Sequence, residues 1–465
     1  MLRCFDGALA YNPARLTASH EADRTNGFYY ERGTVMRILV LGSGGREHAI
    51  VHALAASPLA DAIFAAPGNG GTAGERVTTN VAVDPGNSAA VVSFARDNAI
   101  DLAVIGPEGP LCAGLADELR AAGIPTVGPG ADCARLEGSK SFAKDLMERA
   151  GIPTAASQTF SDRQAAEAFI EVTAAPLVVK ADGLAAGKGV TVALTTAEAL
   201  AAVRECFDGR FGDAGSLVVV EEFLEGPEVS LLAFVDGATV LPMAPAQDHK
   251  RVGDGDTGPN TGGMGVYSPV PGITAEEYSR MLEILELTAR ELVDSDISFR
   301  GILYGGFVLT DEGPKVLEYN TRFGDPETQV LLPRLENDLA EVLMALAKGE
   351  LDTLGGLSWS RDVAVSVVVA SGGYPGEYAS GKPITGIADA SALRGVTVYH
   401  AGTALSPEGA VISAGGRVLN VTATAPEFEE AVAKAYEAVR LISFEGAFYR
   451  HDIAHRALAN SQPGA

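Results

Sequence analysis

Cysteine is scarce in this chain. Four residues, Cys4, Cys112, Cys133 and Cys206, are spread over 465 positions with no Cys-x-x-Cys pair, which argues against a disulfide framework and offers no zinc-ligand spacing. A reducing, cytoplasmic setting is expected. Positive charge is also in short supply: Lys plus Arg total 35 against 60 Asp plus Glu, a net charge of −25. Neither a nucleic acid nor an anionic membrane is therefore the expected partner, and any phosphate site has to be locally basic within an acidic molecule. No apolar run approaches the roughly 18 residues of a membrane span. Residues 1–35 are mixed and polar and lack the apolar stretch of a secretory signal; they are expected to form a disordered leader, with Met36 as the natural start. There is no Gly-x-Ser-x-Gly elbow, and no cysteine has a histidine near it in sequence, so nothing suggests nucleophilic catalysis. His48 and His52, like His451 and His455, stand four apart without the acid of a His-Glu-x-x-His motif, and both pairs are expected to be structural.

What is present is apolar material for several cores. Hydrophobic residues make up 47% of the chain, and the length suggests about three domains. From Met36, apolar strands at 37–41, 62–65 and 102–105 alternate with helices at 47–56, 88–98 and 111–122, which predicts a parallel α/β domain. A second unit opens near Gly138-Ser139-Lys140 with a helix to Arg149. Strands follow at 217–222, 229–235 and 239–241, then a helix at 274–293 and strands at 302–310 and 315–319. A final unit from about Arg361, with strands at 364–370, 396–400 and 417–423 and a helix at 426–441, reads as an α+β cap with little visible chemistry.

The most informative segment runs from Lys180 to Val190, KADGLAAGKGV. Two lysines, Lys180 and Lys188, flank a loop nearly free of side chains between two expected strands. Glycines such as Gly187 and Gly189 let backbone N–H groups approach an anion, so the segment reads as a phosphate grip, with a plain glycine-rich hairpin as the alternative. It is not a Walker loop, since Lys188 is followed by Gly189 and no helix opens there. The turn Gly42-Ser43-Gly44-Gly45-Arg46-Glu47 follows the first strand but breaks the dinucleotide fingerprint, because Glu47 stands where its third glycine belongs. It can still offer a helix N-terminus to a phosphorylated ligand.

Glu318 and Asn320, two apart on a strand, face the same side with oxygen ligands suited to Mg²⁺. Next comes Thr321-Arg322-Phe323-Gly324-Asp325-Pro326, where Asp325 is expected to cap a helix beginning at Pro326. Arg322 is suited to a two-point grip on a carboxylate, a solvated surface arginine being the alternative. The passage Asp248 to Gly265 is too rich in glycine and polar groups for a core element, and such loops, when ordered, usually bind something. The run Glu221-Glu222-Phe223-Leu224 ends a strand with acids and apolar residues, as an adenine slot or a buried strand end would.

Taken together, GxGGREHA at Gly42–Ala49, APGNGGT at Ala66–Thr72, GPE at Gly106–Glu108, GSK at Gly138–Lys140, KADGLAAGKGV, EEFLEGPEVS, QDHKRVGDGDTGPNTGGMG, EYNTRFGDPETQ and ASGGYPG at Ala370–Gly376 resemble the phosphoribosylamine–glycine ligase family, the glycinamide ribonucleotide synthetases. The likeness runs from Met36 to about Arg456. It implies an N-terminal α/β substrate-binding domain (36–137), an ATP-grasp domain (138–355), a C-terminal α+β domain (360–456) and a tail (457–465). It also implies a reaction in which glycine, ATP and 5-phosphoribosylamine give glycinamide ribonucleotide, ADP and phosphate. By the same likeness Lys140, Lys180, Gly187, Lys188 and Gly189 would hold or cover the ATP phosphates, Glu221, Glu222, Phe223 and Leu224 would receive adenine, and Glu228 the ribose. Glu318 and Asn320 would carry Mg²⁺ or Mn²⁺. Gly44, Gly45, Arg46 and Glu47 would meet the phosphoribosyl group, while Asp248, Lys250, Arg251, Asp256, Thr257, Gly258, Asn260, Thr261, Arg322 and Asp325 would arrange glycine and the amine. Lys180, Lys188, Asp256, Arg322 and Asp325 are the residues expected to act in catalysis. A monomer is expected. The alternatives are another ATP-grasp carboxylate–amine ligase and a non-catalytic nucleotide-binding protein.

Overall fold

The computed structural model describes residues 35–184 and 189–460. The leader up to residue 34 and four residues of the lysine loop, 185–188, with Gly187 and Lys188 among them, lie outside the described residues.

Five parallel strands open the chain: Met36–Gly42, Ala60–Pro67, Thr78–Asn80, Leu102–Ile105 and Thr126–Val127. In the sheet they run third, second, first, fourth, fifth. Covered by helices, the central strands are almost wholly buried, which is why they read as continuous apolar runs. The order reverses between Met36–Gly42 and Leu102–Ile105, and ligands of such sheets lie beyond the carboxyl ends at that reversal. The Gly42–Glu47 turn and Gly106–Glu108 both sit there. The helix expected over 111–122 is two helices, Glu108–Cys112 and Leu115–Ala121, because Gly114 turns the backbone left-handed at φ +87°.

Two antiparallel sheets follow. The smaller, in the order Ser157–Phe160, Val218–Glu222, Leu177–Ala181, Val190–Ala193, is backed by helices Arg163–Thr173 and Thr196–Phe207 and has a hydrophobic core of its own. The larger, Thr239–Pro242, Glu228–Asp236, Arg300–Thr310, Gly313–Asn320, packs against helix Ala275–Asp294. A third antiparallel sheet ends the chain, with strands Gln247–Asp248, Gly265–Ser268, Val363–Ser371, Arg417–Ala425 and Val396–His400 in that order, under helix Phe428–Leu441.

That third sheet corrects the view of residues 248–265 as wholly outside the core. The ends of the passage are sheet strands, and its middle is a hairpin of Arg251–Gly253 with Thr257–Asn260. Its glycines serve the crossing instead. A Cβ at Gly263 would stand 2.6 Å from Pro326 Cδ, and one at Gly265 2.5 Å from Ile453 Cδ1. The helix His455–Asn460 extends into the stretch expected as a tail.

Candidate functional site

The cleft between the two antiparallel sheets collects the lysines. Lys140 opens helix Lys140–Arg149, where Ser139 caps by accepting from the Phe142 N–H, and its Nζ donates to Gly183 O at 3.1 Å. Lys180, next to last in strand Leu177–Ala181, lies 2.8 Å from Glu221 Oε2 and donates to Leu317 O at 3.1 Å. That carbonyl is available because Leu317 is the extra residue of a bulge: Gly306 pairs with Glu318 and Phe307 with Val316. Bulges redirect backbone and side chains in this way beside sites. Gly189 O accepts from the Ala181 N–H at 2.8 Å, closing the loop's base. Glu221 is buried, Glu222 accepts the Ala156 N–H at 3.0 Å, and Phe223 is an exposed large apolar side chain at the strand end beside partly buried Leu224.

Glu318 and Asn320 share a face of strand Gly313–Asn320, as expected. Burial alone would push the Glu318 carboxyl up, but Lys250, Lys180, Lys140 and Arg322 together hold it below the usual carboxylate range. Asn320 Oδ1 accepts from Arg322 at 3.3 Å. The structure brings Arg322 to carboxylates, but to the protein's own: Glu137 Oε1 at 2.8 Å and Glu108 Oε2 at 3.5 Å. Glu137 also accepts the Thr321 N–H at 2.8 Å, so one buried acid fixes both the backbone and the guanidinium just beyond Glu318 and Asn320.

Asp325 does not cap a helix. The helix there is Thr328–Leu331, and Asp325 instead reaches the N-terminal domain, accepting the Arg46 N–H at 3.3 Å while pairing with Arg417 of the third sheet at 3.4 Å. Arg46 is turned inward, 2.6 Å from Glu47 Oε1 and donating to Phe323 O at 3.0 Å, and Glu47 accepts the Gly44 N–H at 2.6 Å. Gly45 packs directly beneath Asn420 and Gln329, both fully buried, and a Cβ there would overlap Asn420 Nδ2. The first turn is thus sealed by residues hundreds of positions away.

The glycine-rich passage divides. Asp248 and Lys250 join the cleft, with Lys250 Nζ 2.6 Å from Glu228 Oε2. Burial first, then the neighbouring Glu327 and Glu228, push Asp248 up to about 7 against the pull of Lys250. Asp256 goes elsewhere: Arg450 holds it at 2.8 Å and Arg456 at 2.5 Å, in the hairpin gripped by the C-terminal residues. Thr257, Gly258 and Asn260 are exposed on that hairpin, Arg251 donates to Gly258 O at 2.8 Å, and Thr261 Oγ1 donates to Lys250 O at 2.9 Å. His48 and His52 share Glu75 at 3.1 and 2.9 Å, a structural use as expected.

Sequence reasoning assigned no role to Glu108, Glu137, Lys144, Arg417, Tyr304 or Asn420. Glu137 stands immediately before the Gly138-Ser139-Lys140 motif and Glu108 inside Gly106–Glu108, so position offered a hint for those two. Tyr304, whose hydroxyl bridges Ser230 and Glu327 at 2.8 Å each, carried none.

Comparison with known proteins agrees with this geometry. Models of phosphoribosylglycinamide synthetase match in order: the N domain at residues 36–137, the ATP-grasp (A) domain at 138–328 and the C domain at 364–456. A biotin carboxylase domain of Hydrogenobacter thermophilus 2-oxoglutarate carboxylase, 18% identical with a TM-score of 0.67 and covering 89% of this chain and 92% of that one, shares the fold. The cleft and its sheets define an ATP-grasp enzyme, an ATP-dependent ligase. A Rhizobium meliloti (strain 1021) protein named phosphoribosylamine–glycine ligase is 54% identical over 425 residues, 91% of this chain and 99% of the relative. The crystal structure of phosphoribosylamine–glycine ligase from Thermotoga maritima matches with a TM-score of 0.76 at 33% identity, covering 90% of this chain and 99% of that one. The chain belongs to the phosphoribosylglycinamide synthetase family.

Proposed function

We propose that the chain joins glycine to 5-phosphoribosylamine with ATP, through glycyl phosphate, giving glycinamide ribonucleotide, ADP and phosphate in the second step of de novo purine synthesis. The observation that carries this reading is the meeting of two half-sites: lysines 140 and 180 with Glu318 and Asn320 on one side, the switch-point crevice on the other, and Arg322 in contact with both through Asn320 and Glu108.

Glycine's carboxylate is ionised at pH 7, its pKa near ~3.5, so it attacks the γ-phosphorus without a base. Two anions must meet, and positioned charge supplies most of the rate of phosphoryl transfer. Lys140 and Lys180 would face the triphosphate, with Lys188 and its glycines over it, Glu221 to Leu224 at adenine and Glu228 at the ribose. Among the described residues no group of three or more His, Cys, Asp or Glu could hold an ion alone. The two hard oxygens of Glu318 and Asn320, on one face of their strand, fit a divalent ion completed by phosphate and water. When bound, Mg²⁺ or Mn²⁺ would supply charge neutralisation for the phosphate oxygens. Asp248 offers a carboxylate for glycine's ammonium, and Arg322, Asp325 and the 257–261 loop would border the amine, with Asp256 acting through the hairpin it locks. In the second step the amine nitrogen of phosphoribosylamine forms its bond to the glycyl carbonyl carbon as phosphate leaves, and exclusion of water protects the acyl phosphate.

All these residues come from one chain, so a monomer suffices. Among the described residues no helix is long and apolar enough to cross a membrane. We place the enzyme in the cytoplasm, on the free thiols of Cys112, Cys133 and Cys206.

The test is ADP release with freshly generated phosphoribosylamine and each amino acid in turn. Release with glycine alone supports the reading. Release with a different amino acid and not glycine favours another ATP-grasp ligase, and nucleotide binding without substrate-dependent hydrolysis favours a non-catalytic protein.

A further inference from the structure

Lys144 lies one helical turn beyond Lys140 and is buried against Glu221, the same carboxylate that Lys180 meets. Its Nζ is 3.2 Å from Glu221 Oε1 and donates to Thr154 Oγ1 at 2.8 Å and Ala155 O at 3.0 Å. Two of its N–H groups are thus donated to uncharged oxygens, and its charge is paired with Glu221, on a buried side chain. Glu221, only 2% exposed, spans from Lys144 to Lys180. Lys180 has two acceptors among the described residues, Glu221 Oε2 and Leu317 O, which leaves one N–H for a phosphate oxygen.

We infer that Lys144 is a positioning residue: it neutralises Glu221, so that Lys180 presents a net positive charge to the nucleotide. The inference rests on the ATP-binding reading above. Lys144, Glu221 and Lys180 together carry one positive charge. Without Lys144, the remaining pair is neutral and buried, and attraction that is strong where water is excluded commits Lys180 to Glu221. The other charged groups nearby do not replace it. Lys140 is drawn to Gly183 O, Asp182 is tied to Ser139 Oγ and the Ser141 N–H, and Glu318 is a further negative charge. Lys144 also reaches the metal-side strand, because Thr154 Oγ1 donates to Val316 O at 2.7 Å. One side chain therefore ties the Lys140 helix to both sheets of the clamp.

The test is made on the full chain with Lys144→Gln, Lys144→Gln/Glu221→Gln and the parent, measuring the ADP dissociation constant by calorimetry and the KM values for ATP and glycine by ADP release. Loss of one charge-assisted contact should raise the nucleotide dissociation constant and ATP KM of Lys144→Gln about tenfold or more, with glycine KM nearly unchanged. The double variant removes both charges and leaves Lys180 uncancelled; although Glu221 also borders the proposed adenine site, it should bind ADP at least about threefold more tightly than Lys144→Gln. A purely structural role predicts no such recovery. A Lys144→Gln protein binding ADP like the parent, or a double variant no better than the single one, overturns the inference. Should Lys144→Gln alone not fold, Lys144→Arg, which keeps the charge, carries the test: ADP binding within about threefold of the parent is expected, and binding weaker by about tenfold overturns the inference. A parent that binds no adenine nucleotide refutes the ATP reading instead.

Discussion

Glu137 is the sharpest place to perturb this site, because a single buried carboxylate holds two things at once. It accepts the Thr321 N–H and pairs with Arg322 at 2.8 Å each, with its side chain 7% exposed. In Glu137→Gln the amide oxygen can still accept the Thr321 N–H. The amide nitrogen, however, turns donors toward a guanidinium that has only donors. Of the two carboxylates that pair with it, Arg322 then keeps Glu108, at 3.5 Å, beside the uncharged oxygens of Asn320 and Phe323. Breaking a buried ion pair by neutralising one partner costs about 3–5 kcal/mol, which lowers the midpoint of a folding unit of this size by roughly 6–20 °C. Removing the other partner as well removes the unpaired charge, so Glu137→Gln/Arg322→Met should regain most of that loss. Activity should not follow, since Arg322 borders the proposed substrates. Thermal unfolding followed by circular dichroism, beside glycine-dependent ADP release, separates the two readouts. A midpoint for Glu137→Gln equal to the parent's, or a double variant less stable than the single one, would refute the reasoning.

Lys180→Ala and Glu318→Ala should each lower glycine-dependent ADP release by on the order of 10²-fold or more with an unchanged circular dichroism spectrum; turnover retained in either variant contradicts the assigned roles. Burial lowers His400 from the ordinary 6.5 to about 3, and burial likewise lowers His48. The unfolded chain therefore takes up these protons first. The His400 contribution to stability is whole above about pH 6.5 and shrinks as pH falls toward 3, by up to about 1.4 kcal/mol per pH unit, and His48 acts in the same direction. Denaturant unfolding between pH 7 and 5 should show a shallower decline in His400→Gln, and identical declines would count against it. Gly45→Ala forces a methyl group against Asn420 and Gln329 and should cost about 1–3 kcal/mol. Asn420→Ala in the same chain should restore part of that, and a tolerated Gly45→Ala would show that the lid over the first turn yields.

Strands and helices were legible wherever burial was two-sided or periodic. Met36–Gly42 and Leu102–Ile105 announce themselves as apolar runs, and Ala275–Asp294 as an amphipathic helix with a Thr274–Glu277 capping box. Misreadings came where local chemistry served a distant partner. Asp325 followed by Pro326 has the pattern of a helix cap, but Arg46 and Arg417 bind it more usefully from other domains. Residues 248–265 look like a loop because only their ends enter the sheet, Asp248 beside Val266 and Gly265 beside Val367, the latter a partner that no local pattern can reveal.

The sequence by itself determined the chemistry on offer: lysines around a glycine loop, an acid and an amide two apart on a strand, an acidic molecule in which any phosphate site has to be locally basic. These depend on residue type and short spacing, which the chain states directly. Only the tertiary structure decided how the charges pair. It set Glu221 between Lys144 and Lys180, Glu137 against Arg322, and Asp256 away from the cleft under Arg450. Electrostatic attraction depends on distance through space and on the water excluded along the way, and both are fixed only when the sheets close on one another.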